Sequence, residues 1–218
     1  MRYFALFCVA LACQLPAALA AEGDIVLFNG KDFTGWTAVL AKPDAKLEDV
    51  WSIKDGVLSC KGEPRGYLRT TKDDFADYTL RLQWRFPKGT PGGNSGVLLH
   101  TSTPGALGIW PKSIEAQLNH QNAGDIWVIP ESTTVQIENA AERVKGRRHL
   151  NLTDDSEKPI GEWNDYEIVC NGDQITIKVN GVLVNHVTKC SITKGAICLQ
   201  SEGAAVEFQK ILLTPLVK

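Results

Sequence analysis

The chain has 218 residues, 44% of them hydrophobic and 22% charged, and sets 23 Lys and Arg against 25 Asp and Glu for a net charge of −2. With no dense basic excess, nucleic acid and anionic membrane surfaces are poor partners. The length suits one domain core rather than two.

The first segment has to be set aside before any fold argument. Arg2 supplies a positive start, Tyr3 to Leu15 is a nearly unbroken apolar run, and Ala18-Leu19-Ala20 has the small-x-small pattern of a cleavage site. Residues 1–20 are therefore expected to be a signal peptide and residues 21–218 a single mature domain, secreted to the periplasm or the exterior. The run is broken at Gln14 and Pro16 and falls short of the ~20 apolar residues a spanning helix needs, so no membrane span is expected. A lipoprotein signal through Cys13 is the alternative, although Ala10-Leu11-Ala12 is a poor match to the usual Leu-led approach. Beyond the leader stand Cys60, Cys170, Cys190 and Cys198. An even number in an oxidising compartment suggests one or two disulfides, with buried free thiols as the competing reading. The sequence leaves the oligomeric state open.

Along the mature chain, turn signals recur at Asn29-Gly30, Asp55-Gly56, Asn171-Gly172 and Asn180-Gly181, where Asn or Asp before Gly tolerates the positive φ of tight hairpins. Trp51 to Ile53 and Val57 to Cys60 are predicted to pair across Asp55-Gly56. In Tyr78 to Phe86 the apolar set Tyr78, Leu80, Leu82, Trp84 and Phe86 alternates with Thr79, Arg81, Gln83 and Arg85, giving a strand with one core face and one polar face. Leu98 and His100 oppose Val97 and Leu99 in the same way. In Ser113 to Asn119, Ile114, Ala116 and Leu118 oppose Glu115, Gln117 and Asn119. From Gln121 to Pro159 alternation is lost and a basic cluster appears at Arg143, Lys145, Arg147 and Arg148, which reads as a long irregular or functional loop. Gln174 to Val179 and Val182 to His186 are predicted to pair across Asn180-Gly181. In Ile197 to Glu202, Ile197 and Leu199 oppose Cys198, Gln200 and Glu202.

If these strands share a sheet, one face gathers Arg85, His100, Glu115, Gln117, Gln200 and Glu202. Solvated sheet faces favour Lys, Glu and Thr, whereas Gln, Arg and His offer planar donors and acceptors suited to sugar hydroxyls. Trp36, Trp51 and Trp163 have apolar neighbours and are expected in the core. Trp110 and Trp127 lie among glycines and prolines and are the candidates for stacking on a sugar ring.

The ordered set Leu27-Phe28-Asn29-Gly30-Lys31-Asp32-Phe33-Thr34-Gly35-Trp36, Asn94-Ser95-Gly96-Val97, Glu115-Ala116-Gln117, Gly161-Glu162-Trp163-Asn164, Asn180-Gly181, and Leu199-Gln200-Ser201-Glu202-Gly203 with Val206-Glu207-Phe208 closely resembles the 3-keto-disaccharide hydrolase family. The resemblance covers essentially the whole mature chain. It implies an all-β, concanavalin-A-like jelly-roll β-sandwich of two antiparallel sheets. It also implies activity on glycosides whose C3 hydroxyl has been oxidised to a ketone.

Ordinary glycosidases flank the bond with two carboxylates, and lectin-like glucanases carry theirs as an alternating acidic set on one strand. Here that strand reads Glu115-Ala116-Gln117-Leu118-Asn119, with amides in place of acids. A 3-ketone changes the requirement, because it acidifies the C2 hydrogen and permits loss of the anomeric group by elimination. One base and one enolate stabiliser then suffice. Glu115 is the expected base, Arg85 or His100 the enolate partner, and Glu202 the second carboxyl. Asn94, Ser95, Gln117, Gln200, Trp110 and Trp127 are the expected substrate-binding residues. A divalent cation beside these acids is left open, since no ligand spacing demonstrates one. Two competing readings are a non-catalytic, lectin-like carbohydrate-binding module and an interaction domain of a surface assembly.

Overall fold

The computed structural model describes residues 23–217. The expected leader, with Cys13 inside it, lies outside the described residues. Local turn chemistry sets up the strands. Asp55 and Gly56 take φ of 51° and 78°, and Asn180 and Gly181 take 49° and 82°, the left-handed pairs whose twist matches that of the flanking strands. The predicted hairpins close across them as Trp51–Lys54 with Val57–Cys60 and Gln174–Val179 with Val182–Thr188.

The strands form two antiparallel sheets stacked as a concanavalin-A-like jelly roll. The first runs Gln136–Ile137, Val182–Thr188, Gln174–Val179, Asn164–Asn171, Tyr78–Arg85, Val206–Pro215, Val57–Cys60 and Trp51–Lys54, with Ile25–Val26 joined to Val206–Pro215. The second runs Val144–Lys145, Arg148–His149, Ile126–Ile129, Ser113–Gln117, Gly96–Thr101, Ala196–Ser201, Gly66–Thr70 and Trp36–Leu40. Ser113–Gln117 lies well inside this sheet, with partners on both sides, so its outward side chains have neighbours in every lateral direction.

Alternation drives the inward set together. Leu80, Leu82 and Trp84 from one sheet meet Ile114, Ala116, Leu118, Ile197 and Leu199 from the other in a single core. Burying each large apolar side chain is worth about 1.5–3 kcal/mol. Aromatic contacts add shape to this layer, with Trp84 and Tyr166 ring centroids 5.2 Å apart and Trp51 and Phe208 6.5 Å apart. Trp36 and Trp51 are buried as expected, whereas Trp163 is only partly buried and lies under Arg85.

Two expectations need correction. The stretch from Gln121 to Pro159 is not simply a loop, because Ile126–Ile129, Val144–Lys145 and Arg148–His149 extend the second sheet. Strands this short, broken by Pro130 and Gly146, leave no alternation to detect. The four cysteines carry free thiols rather than disulfides. Cys60, Cys170 and Cys190 belong to the intersheet core and Cys198 to a small cluster on the outer face of the second sheet. Among the described residues no helix is long and apolar enough to cross a membrane.

Candidate functional site

The outer face of the second sheet carries a pocket of about 190 Å³ lined by Asn94, Trp110, Glu115, Gln117, Trp127, Ile129, Arg147, Gln200 and Glu202. Four neighbouring strands build its floor. Gly96 lies opposite Gln117 and Leu98 opposite Glu115, Trp127 opposite Glu115 on the far side, and Leu199 opposite Val97, which brings Gln200 beside Gly96. The walls come from the Trp110 loop and from the turn carrying Arg147. Seven of the residues expected at the site therefore converge: Glu115, Glu202, Asn94, Gln117, Gln200, Trp110 and Trp127.

Glu115 is the more deeply buried of the two acids in the pocket. It is 5% exposed, and its Oε1 has no hydrogen-bond partner. Burial, and next the charge of Glu202, push its carboxyl well above the usual carboxylate range, against smaller opposing effects of Gln200 and Arg147. Glu202 is itself pushed up by burial, with Arg65 opposing. Both acids are thus held toward their neutral forms.

The amides around them are oriented by the backbone. Gln117 Oε1 accepts hydrogen bonds from the Leu118 and Asn119 N–H groups at 3.0 and 3.1 Å, so its NH₂ is the end left for the pocket. Asn94 Oδ1, Gln200 Oε1 and the Trp127 indole N–H are buried without protein partners. Buried polar groups left unpaired cost about 1–3 kcal/mol each. Gathered around one small hollow, they describe a surface waiting for a polar ligand.

Arg147 is the cation that sequence reasoning did not assign. Its guanidinium lies over Trp127 at 5.3 Å from the ring centroid, its Nε faces Glu131 Oε1 at 3.2 Å, and Nη1 donates to the Val128 carbonyl at 3.3 Å. The neighbouring arginines are occupied elsewhere, Arg148 with Asp125 and Arg143 with the Leu150 carbonyl and Asn185. The basic cluster was visible in the sequence, but nothing in it told which member faces the site.

Three expected residues lie elsewhere. Arg85 belongs to the first sheet, on its outer face, where Nε meets Glu207 Oε2 at 2.6 Å and the guanidinium covers Trp163 at 4.4 Å. It cannot share a face with Glu115. His100 sits at a register shift between Gly96–Thr101 and Ala196–Ser201, with φ of 52°. The bulge turns its ring inward, 6.0 Å from that of Tyr78. Burial lowers its pKa to about 4. Ser95 is fully buried and braces the floor from below, its Oγ donating to the Gln200 carbonyl at 3.0 Å.

A larger hollow of about 410 Å³ lies on the outer face of the first sheet. Its charges neutralise one another, with Arg81 and Lys178 both on Glu167 at 3.1 and 3.2 Å and Gln83 on Asp165 at 2.7 Å. Its two acids are thus both paired and neither is buried, whereas the smaller pocket holds the buried Glu115, so the smaller pocket is the better site. Among the described residues no cluster of His, Cys, Asp and Glu forms a metal-ligand set.

The chain is 24% identical over 178 residues to the 3-keto-disaccharide hydrolase of Bacteroides thetaiotaomicron, a match covering 72% of this chain and 54% of that protein. It thus spans about half the length of that curated relative. A solved structure of a candidate glycosyl hydrolase from Parabacteroides distasonis superposes with a TM-score of 0.64 at 21% identity, covering 90% of this chain and 95% of that one. A carbohydrate-binding module of Bacillus subtilis superposes with a TM-score of 0.55 at 13% identity, covering 81% and 93%. These two likenesses show the fold alone. Residues 23–214 match the family described as the 3-keto-alpha-glucoside-1,2-lyase-like domain, and on the strength of that match, which takes in nearly the whole described chain, the protein belongs to this family.

Proposed function

We propose that the chain is a carbohydrate-active enzyme that cleaves the glycosidic bond of 3-keto-glycosides, 3-keto-disaccharides among them, by elimination followed by hydration. The observation that carries this reading is Glu115: a buried acid with an unpartnered oxygen, in a pocket that also holds a second acid, one arginine, three amides, two indoles and Ile129. A retaining glycosidase needs an ionised nucleophile beside its acid. Here burial pushes both carboxyls up, a direction that suits a proton-transfer pair in which Glu115 reacts ionised and Glu202 neutral. A base whose pKa is raised toward the working pH is also the better catalyst for taking a carbon-bound proton.

In the proposed sequence Glu115 takes the C2 proton and the C2–H electron pair becomes an enolate on the C3 oxygen. Arg147, which lines the pocket, stabilises that oxygen. The enolate collapses to form the C1–C2 double bond as the C1–O bond breaks, and Glu202 protonates the departing oxygen. Water then adds across the double bond, its proton going to Glu202 and its oxygen to C1 while Glu115 returns its proton to C2. Both acids end as they began. The pocket is smaller than the ~300–1,000 Å³ of sites for drug-sized ligands, so it takes one sugar ring and leaves the rest of the substrate outside, against Trp110.

A binding module would gain little from burying an acid with one oxygen unpaired. The decisive experiment offers purified protein matched 3-keto and unoxidised disaccharides, with and without deuterium at C2. A primary isotope effect or solvent deuterium at C2 of the product is expected, with no turnover of the unoxidised sugar. Retention of the C2 hydrogen without a rate effect would overturn the elimination, and binding without turnover would favour the lectin-like reading.

A further inference from the structure

Gly96 explains how two buried polar side chains of the floor, Glu115 and Gln200, come to face each other. A Cβ built on Gly96 would stand 2.5 Å from Glu115 Oε1 and 2.5 Å from Gln200 Oε1. The two oxygens are therefore no further apart than twice that distance, across a spot that only a glycine leaves open. Gly96 does not have a positive φ, so it is needed for space and not for backbone freedom. Neither oxygen has a hydrogen-bond partner. Gln200 is 1% exposed, and its backbone is fixed by pairing with Tyr67 and by the Ser95 hydroxyl on its carbonyl. Its terminal torsion is the soft part, since the last bond of a Gln side chain has a broad, two-fold profile.

We propose that Gln200 is the positioning residue for Glu115, its amide turning over between two roles: accepting a hydrogen bond from the protonated carboxyl and donating one to the carboxylate. A base that takes a proton and later returns it passes through both states inside a buried pocket, and each state needs a partner of opposite kind. An amide presents both kinds from one position, whereas a cation would serve only the ionised state. The other ionisable groups facing Glu115 are Glu202, Arg147 and, from the opposite sheet, Tyr166. Glu202 favours the protonated carboxyl and Arg147 the ionised one. Tyr166 is committed to the Gln117 carbonyl at 3.1 Å. Gln200 is the group that touches the carboxyl in both states.

The inference rests on Glu115 being the base of the proposed reaction, but its main test needs no substrate. Infrared difference titration follows the carboxylic C=O stretch of Glu115, identified by its loss in Glu115→Gln. Gln200→Met keeps length and bulk and removes donor and acceptor together. The acid dissociation constant of Glu115 is expected to fall tenfold or more, because the charge-assisted bond lost to the carboxylate is about twice as strong as the neutral bond lost to the protonated carboxyl, and the acid limb of the kcat/KM profile should move up with it. Gln200→Asn, which withdraws the amide by one methylene, should give a smaller shift in the same direction and serves if the Met variant fails to fold. An unchanged Glu115 midpoint in the folded variant overturns the role of Gln200. A midpoint that moves while the kinetic limb stays in place upholds the pairing and overturns Glu115 as the base.

Discussion

The Arg147 guanidinium stacks on the Trp127 indole at 5.3 Å, and Trp127 lies directly across the sheet from Glu115. The cation and the acid of the pocket are thereby set at a fixed spacing by one aromatic ring. A planar cation on an aromatic face keeps its orientation where an ammonium would swing.

Arg147→Lys preserves the charge and loses both the stack and the fork. Removing a donor at a developing oxyanion costs roughly 10²–10³-fold in kcat, and a loss of that order is expected on a 3-keto-disaccharide, with near-ultraviolet circular dichroism unchanged. Wild-type kcat in the folded variant would remove Arg147 from the enolate role.

Glu115→Gln should abolish turnover and stabilise the protein at the same time. Burial and the Glu202 charge raise the folded carboxyl above its ordinary 4.5. As pH rises past about 4.5 the folded state therefore binds more protons than the unfolded chain, and stability falls until the raised pKa is passed. Below that window the penalty is absent. Thermal melts of the variant and the parent should then diverge between pH 4 and pH 8, the variant melting higher at the upper end. Parallel curves would mean that the carboxyl is not held neutral.

Arg85→Lys tests the assignment of sheets. Arg85 is partly exposed in its pair with Glu207 and its stack on Trp163, interactions worth about 0.5–1 kcal/mol. A small drop in stability is expected with kcat and KM unaltered. A large loss of activity without unfolding would tie the outer face of the first sheet to the reaction.

His100 should govern acid sensitivity. Its pKa falls from 6.5 to about 4 through burial, so the stability this neutral ring contributes is complete above about pH 6.5 and is lost as pH falls toward 4. The full effect is up to about 3 kcal/mol. Urea titrations of His100→Gln should show a shallower fall than wild type across that window, with kcat at neutral pH retained. Equal slopes would show that the ring is not buried in its neutral form.

Much of this candidate site was legible because period-2 alternation reports which side chains leave the core, and Glu115, Gln117 and Gln200 do so on two strands separated only by Gly96–Thr101, with Glu202 just beyond the second. The same signal misplaced Arg85. Alternation fixes a residue's face within its own strand and is silent on which of two stacked sheets holds that strand. His100 escaped because a single left-handed residue shifts the phase of the pattern, and a histidine in the sequence gives no notice of it. Arg147 sits on a hairpin of two-residue strands, too short to carry any period. Only the three-dimensional pairing of Arg148 with Trp127 brings that hairpin to the pocket.

The four buried thiols give the fold a set of internal clocks. Cys60 lies in the hairpin near one edge of the first sheet, Cys170 in its middle, Cys190 beyond the Val182–Thr188 strand, and Cys198 in the cluster that adjoins the pocket through Ile129 and Trp110 on the second sheet. A thiol-selective reagent reaches each only when its own part of the sandwich opens. Peptide mapping of the labelling rates then times local opening at four separate places in one molecule. Occupying the pocket with substrate should slow the reaction at Cys198 more than at the thiol of the distant edge hairpin.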